Sequence, residues 1–249
     1  MENQNSKFAN FVSLNIFSKV LLGLGQVMSP FSKISNTPVI PKSEFAWANL
    51  LEENWEGIQS ELLKLLENDQ ALPNIQDIQP AEAQLNTENK WKTFFLFGFG
   101  IKAKKNCEKC PITTQVLEQI PGMITGFFSI LYPGMHIPAH RGIFKGIVRT
   151  HLGLLVPGKP GDSRMRVGKE IIKWENGKAV FFDDTYNHEV WNESNGIRVV
   201  LLIDTIRPYE SPFSKLNESI INGVTASVYV KDAFKKNEEW EKTYHSIFP

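Results

Sequence analysis

Two regimes of hydrophobic spacing divide the chain. Between residues 43 and 66 the apolar residues Trp47, Leu50, Leu51, Trp55, Ile58, Leu62 and Leu66 recur at intervals of three and four. That period predicts one amphipathic helix with Ser43 as its N-cap. From Ile124 onward the pattern changes to short apolar runs at 124–132, 147–156, 164–168, 179–183 and 197–206, separated by Gly, Pro, Asn and Asp. Such spacing predicts the strands of an antiparallel sandwich or barrel. Between the two regimes, 69–86 reads as a loop interrupted by Pro73 and Pro80, 94–99 as a buried strand, and 113–120 as a short helix closed by Pro121-Gly122. The fold class expected is mainly β with flanking helices. Residues 1–41 would form an apolar N-terminal segment and a linker, and 42–249 one domain, with a helical part at 42–120, a β-core at 121–210 and a C-terminal extension at 211–249.

Strand phase adds chemistry to this outline. In 147–156, Val148, Leu152, Leu154 and Val156 fall on one face, and Arg149 and His151 on the other with Gly153. Arg198 shares its face with Val200 and Leu202, and Ser129 shares its face with Phe127 and Leu131. Several strands thus each place one or two polar groups on an apolar surface, the usual make-up of a small-ligand pocket. Four of the five histidines lie in this part of the chain, in HIPAHRG (136–142), RTHLGLLVP (149–157) and FFDDTYNHEVW (181–191). Imidazoles and guanidiniums in such runs must be hydrogen-bonded, paired or metal-bound, because burying them unpartnered is costly.

Composition narrows the function classes. Lys+Arg and Asp+Glu balance at 27 each, which gives no footprint for nucleic acid. The 17 Phe and 6 Trp suit a ring-rich β-core. Cys107 and Cys110 form a single CxxC with no second pair for zinc and no βαβ setting for redox work, so they read as two thiols in a loop before a helix. Residues 8–28 are apolar, but Asn10, Ser13, Asn15, Ser18 and Lys19 interrupt them before a bilayer-spanning length of roughly 20 is reached. No basic start with a small-residue cleavage site is present, so a signal peptide is not expected. The expectation is an amphipathic helix docking on the domain, on a second subunit or on a membrane surface, in a cytoplasmic protein that could be peripheral at the inner membrane.

His136 and His140 stand four apart, yet Pro133, Gly134 and Pro138 exclude a helix there, and with it an HxxxH metalloprotease site. Each histidine alone can be a hydrogen-bonded structural residue or a ligand. Arg149 and Arg198 can be partners of Asp183, Asp184 or Asp204, or can hold a small carboxylate in bidentate fashion. A histidine pair with open coordination positions beside a carboxylate-binding arginine points to an iron oxygenase with an oxo-acid cosubstrate.

The stretches FFSILYPGMHIPAHRG, RTHLGLLVP, RVGKEIIKWENGKAVFFDDTYNHEVWNES and RVVLLIDTIRP, in this order, resemble the aspartyl/asparaginyl β-hydroxylases, a family of iron(II)- and 2-oxoglutarate-dependent oxygenases. The resemblance implies a double-stranded β-helix, a jelly-roll of cupin type, with iron at its mouth. It implies that His140 and His188 are the iron ligands and the catalytic centre, and that Arg198, helped by Ser129, holds the distal carboxylate of 2-oxoglutarate. His151 and Arg149 match positions that contact cosubstrate or substrate, and His136 matches a histidine that is not a ligand. Most of the wider superfamily has an acidic residue two positions after the first histidine, where this chain has Gly142. The resemblance implies water in that position, with Asp183 or Asp184 as acceptors for a ligand histidine or for the water.

The chemistry so implied is oxidative decarboxylation of 2-oxoglutarate with O2 and hydroxylation of an unactivated C–H bond, either of Asp/Asn-type side chains in a peptide or of a lipid A-type acyl chain. The sequence holds no helical-repeat region like that of the animal peptide hydroxylases, so peptide selection by such a region is not expected. The alternative of a different class is a non-catalytic, cupin-like protein that binds a small ligand or metal, with its histidines structural.

Overall fold

The computed structural model describes residues 19–86 and 88–247. Among these are eleven strands, β1 (Val39–Ile40), β2 (Trp91–Gly98), β3 (Ile101–Lys102), β4 (Met123–Leu131), β5 (His136–His140), β6 (Ile147–Leu155), β7 (Ser163–Val167), β8 (Glu170–Lys173), β9 (Ala179–Phe182), β10 (His188–Asn192) and β11 (Arg198–Ile206). They form a large sheet in the order β1-β9-β6-β11-β4-β2-β3 and a small one in the order β5-β10-β7-β8. The strand pairings within both sheets are antiparallel, and the chain passes repeatedly from one sheet to the other. The result is a double-stranded β-helix.

Alternation along the strands builds two cores. Phe127, Leu131, Val200 and Leu202 of the large sheet meet Ile137, Met165, Val167 and Val190 of the small one, filling the space between them. The opposite face of the large sheet carries Val148, Leu152, Leu154, Val199, Leu201 and Ile203. Helices Ala48–Glu53, Trp55–Leu66 and Pro111–Glu118 cover it with Leu51, Ile58, Leu62, Val116 and Leu117. The arginine and histidine positions of β6 and β11 therefore face the space between the sheets, because their neighbours at odd spacing are committed to the helices.

Several expectations need correction. The single helix across 43–66 is two, broken at Asn54, whose side-chain amide donates to Leu50 O at 2.8 Å. Ser43 lies in a 3-10 turn, Lys42–Glu44, and the helix starts at Ala48. The stretch 69–86 holds two 3-10 turns and the helix Ile75–Ile78, at whose start Asp77 accepts the Asn74 backbone N–H at 2.9 Å. Part 42–120 is not wholly helical, because β2 lies in it and pairs with β4 inside the large sheet. Cys107 sits on the helix Lys104–Lys109 rather than in a loop; both thiols are buried and free, and burial raises their pKa values.

The first and last described segments pack on this body. In 29–41, β1 adds to the large sheet through β9, with Ile40 buried. Residues 19–28 are helical and bury Leu21 against Ile124, Phe144 and Ile221. The rest of the 8–28 segment lies outside the described residues. Helices Phe213–Thr225 and Val228–Ile247 make up 211–249 as far as it is described. Among the described residues no helix is long and apolar enough to cross a membrane.

Candidate active site

The His140–His188 pair is a product of strand register. β5 and β10 run antiparallel with His188 opposite His140, and the two rings lie 4.1 Å apart between centroids. Each ring has its Nδ1 at a backbone carbonyl, His140 at Pro138 O (2.8 Å) and His188 at Tyr186 O (2.9 Å). A carbonyl only accepts, so both Nδ1 atoms carry the proton and both Nε2 atoms keep a lone pair. Burial lowers the pKa of both, that of His188 to about 3 with His140 beside it adding to the effect. Two neutral imidazoles with their second nitrogen held by the backbone are suited to binding a metal through Nε2.

The arginines have opposite surroundings. Arg149 is held in bidentate fashion by Asp204, Nε at 2.8 Å and Nη2 at 3.0 Å, and its Nη1 lies 3.2 Å from Asp184. These carboxylates hold its pKa above the ordinary arginine value against the cost of burial. Arg198 is 1% exposed and has no carboxylate partner among the described residues. Among the described residues its guanidinium meets Ser129 O, 3.4 Å from Nη1, and lies over the Trp174 ring, its carbon 4.5 Å from the ring centroid. Its Nε is unpaired, and burial alone drags its pKa down to about 9.

Other polar atoms near Arg198 are equally unsatisfied. His151 is 5% exposed with both ring nitrogens unpaired, and burial followed by the nearby Arg198 holds its pKa well below the usual histidine value. The Trp174 indole N–H is unpaired as well. Ser129, opposite Val200 across the β4–β11 pair, accepts from Trp91 Nε1 at 3.1 Å and keeps its own hydroxyl proton free to donate. A buried cation among unpaired donors lacks an anion, and a small carboxylate would satisfy it.

Gly142 is where the third ligand of the wider superfamily would stand, and here its place is taken. A β-carbon on Gly142 would lie 2.3–2.5 Å from the carboxylate atoms of Asp184, and the Gly142 N–H donates to Asp184 O at 2.8 Å. Burial pushes the Asp184 carboxyl up to about 6 against the pull of Arg149. Asp183 points elsewhere, to Arg207 (2.9 Å) and Lys145 (2.8 Å). Among the described residues no three His, Cys, Asp or Glu side chains converge on one point.

The structure thus brings together His140 with His188, and Ser129 and His151 with Arg198, while Arg149 is tied to Asp204 and Asp184. His136 stands apart, stacked 5.2 Å from Trp191 and facing Glu189 at 3.3 Å. Trp174 and Trp91 were not singled out from sequence. The phase of Trp91, on the face of Phe95, was a usable signal, whereas Trp174 lies beyond β8 in a turn whose path no periodicity reports.

The sequence pattern of the aspartyl/asparaginyl β-hydroxylases matches residues 52–208. An ornithine lipid ester-linked acyl 2-hydroxylase from Rhizobium tropici is 39% identical over 216 residues, which cover 87% of this chain and 77% of that protein. The human aspartyl/asparaginyl β-hydroxylase is 32% identical over 169 residues, 65% of this chain, and the chain spans about a fifth of its length (21%). A Trichoplax adhaerens prolyl hydroxylase, solved with a hypoxia inducible factor peptide, overlaps 70% of this chain and 91% of its own at 11% identity and a TM-score of 0.48; the fold assignment rests on strand order instead.

Proposed function

This chain belongs to the aspartyl/asparaginyl β-hydroxylase family, and from that membership we propose that it is an iron(II)- and 2-oxoglutarate-dependent hydroxylase of a lipid acyl chain. The observation that carries the reading is Arg198, a buried guanidinium with no carboxylate partner among the described residues, on the same inner face as His151 and Ser129. The relative with the broadest coverage quoted above acts by its name on an acyl chain, which supports a lipid substrate. An Asp/Asn side chain is the second reading, supported by the human relative.

Each residue then has a task. His140 and His188 hold iron(II) through Nε2, their rings fixed by Pro138 O and Tyr186 O. Arg198 holds the distal carboxylate of 2-oxoglutarate, and the Ser129 hydroxyl donates to the same group. His151, kept neutral by burial, stands beside that carboxylate as a hydrogen-bonding partner rather than a second charge. Asp184, in the space a side chain at position 142 would need, would accept a hydrogen bond from water bound beside the histidine pair, and Arg149 holds Asp184 there. The apolar walls, including Phe182 and Leu202, keep bulk water out. Iron with the cosubstrate supplies oxygen activation and hydroxylation of an unactivated C–H bond.

The test is anaerobic addition of iron(II) and 2-oxoglutarate, followed by oxygen and acyl lipid. A visible charge-transfer band, succinate release and a product heavier by one oxygen are expected. Product only from an Asp- or Asn-bearing peptide would select the second reading. No band and no succinate with any substrate would leave a non-catalytic ligand-binding protein.

A further inference from the structure

The helical stretch 20–28 reads VLLGLGQVM, with Gln26 its only polar side chain. A helix apolar on every side is expected to be covered on every side. Here the inner side is covered, with Leu21 at 3% and Met28 at 0% exposure, and Gly25 so close to the 141–146 loop that a β-carbon would meet Lys145 Cβ at 2.8 Å. The outer side is bare, with Val20 at 53% and Val27 at 63%.

Exposed apolar side chains also stand on elements that pack against this helix. Phe31, exposed, stacks 4.2 Å from Phe213, and Leu216, one turn further along helix Phe213–Thr225, is exposed too. Ile143, exposed, lies in the loop that leaves His140 and passes under helix 19–28. Lys19, Lys33, Arg141 and Lys215 flank these apolar residues in sequence, against Glu210 and Glu218. Immediately before the described residues the chain carries Phe8, Phe11, Val12, Leu14, Ile16 and Phe17.

We propose that Val20, Val27, Phe31, Ile143 and Leu216 form a face that docks on an anionic lipid bilayer. Exposed apolar side chains with basic residues next to them in sequence are what an interfacial element needs. A second copy of the chain would cover the same face, but it would also block the loop that leads from Ile143 to His140. A bilayer instead presents acyl chains to that loop. The proposal rests on the acyl-lipid reading for its partner, and it adds how substrate reaches the site without leaving the membrane.

Cosedimentation of the full chain with phosphatidylethanolamine–phosphatidylglycerol vesicles tests it. Wild type is expected to pellet, less so in high salt or with phosphatidylcholine alone. Val20→Asp with Val27→Asp should lower partitioning about tenfold or more, while Leu63→Asp with Ile171→Asp, exposed residues elsewhere, should change nothing. Both doubles alter exposed positions and should keep the wild-type melting curve. Wild type left in the supernatant, a Val20/Val27 double that pellets like wild type, or a dimer that this double dissociates would each overturn the proposal. Turnover of a detergent-dispersed short-chain acyl substrate separates the two claims: its absence in every protein would remove the acyl-chain reading and leave the vesicle result standing.

Discussion

The Asp184 carboxylate fills the space in which Gly142 would carry a side chain, with Oδ1 2.3 Å from the β-carbon position. An acidic group thus stands beside position 142, brought there by the turn before β10 rather than by the chain following β5. Gly142→Ala should expel the carboxylate from its place. Gly142→Ala and Asp184→Ala are each expected to weaken iron-dependent turnover about 10- to 100-fold, the usual loss when a group supporting a metal ligand is removed. Gly142→Asp alone should be worse than Gly142→Asp with Asp184→Gly, since only the double variant makes room. Equal iron affinity of the two, measured by calorimetry, would contradict this.

Arg198 gives the second prediction. Arg198→Lys keeps the charge but loses the planar fork and the stack on Trp174, so 2-oxoglutarate affinity should fall about tenfold or more. Trp174→Leu should act in the same direction and less strongly. Calorimetric titration of the iron-loaded protein measures both; an unchanged dissociation constant in Arg198→Lys would remove the carboxylate role.

Strand phase reported the inner and outer faces of β4, β11 and β6 as far as Leu154 correctly, because a half-buried strand must alternate; Val156, expected on the face of Val148, packs on the inner core instead, past the register shift opposite Val199 and Val200. It passed over β5 and β10, which carry the histidines. Pro138 interrupts one, and the other, HEVWN, is short and half polar, so neither shows an apolar run. The pairing of His140 with His188 depends on register between strands 48 positions apart in sequence, which local pattern cannot supply. The ties of Arg149 to Asp204 and Asp184 likewise follow from tertiary placement, with Asp204 directly opposite on β11.

Gly153 controls Trp174 at a distance. The turn at 174–177 crosses β6 so closely that a β-carbon on Gly153 would lie 2.2 Å from Glu175 O, while Gly153 N–H donates to Lys178 O at 3.0 Å. Gly153→Ala must lift this turn and move Trp174 off the Arg198 guanidinium. The expected outcome is weaker 2-oxoglutarate binding together with a shifted tryptophan emission, with the His140–His188 iron site unaffected. Loss of iron affinity with cosubstrate binding intact would argue against the route through Trp174.

The buried imidazole of His151 sets a pH dependence. Its folded pKa lies below the ordinary 6.5, so below that pH the unfolded chain takes up a proton that the folded one refuses. Stability is therefore unaffected by this group above about pH 6.5 and falls as the solution is acidified further, by up to about 1.4 kcal/mol per pH unit for one proton. His188 contributes in the same direction. His151→Phe should flatten the slope without abolishing it, as urea midpoints at about pH 7.5 and about pH 5.5 would show. A slope identical to wild type would mean that His151 is protonated in the folded protein.

Neighbouring aspartates should separate stability from chemistry. Asp183 is fully buried and accepts from Arg207, Lys145 and the Thr185 N–H, joining the turn before β10 to the segment after β11. Removing one partner of a buried pair strands the other charge and costs about 3–5 kcal/mol. Asp183→Asn should therefore lower the melting temperature markedly while the remaining folded protein turns over normally. Asp184→Ala leaves Arg149 still held in bidentate fashion by Asp204, so its melting temperature should change little while turnover drops. Differential scanning fluorimetry beside succinate release distinguishes the two. The reverse pattern, a stable Asp183→Asn without turnover and an unstable Asp184→Ala with it, would exchange the roles assigned to these adjacent carboxylates.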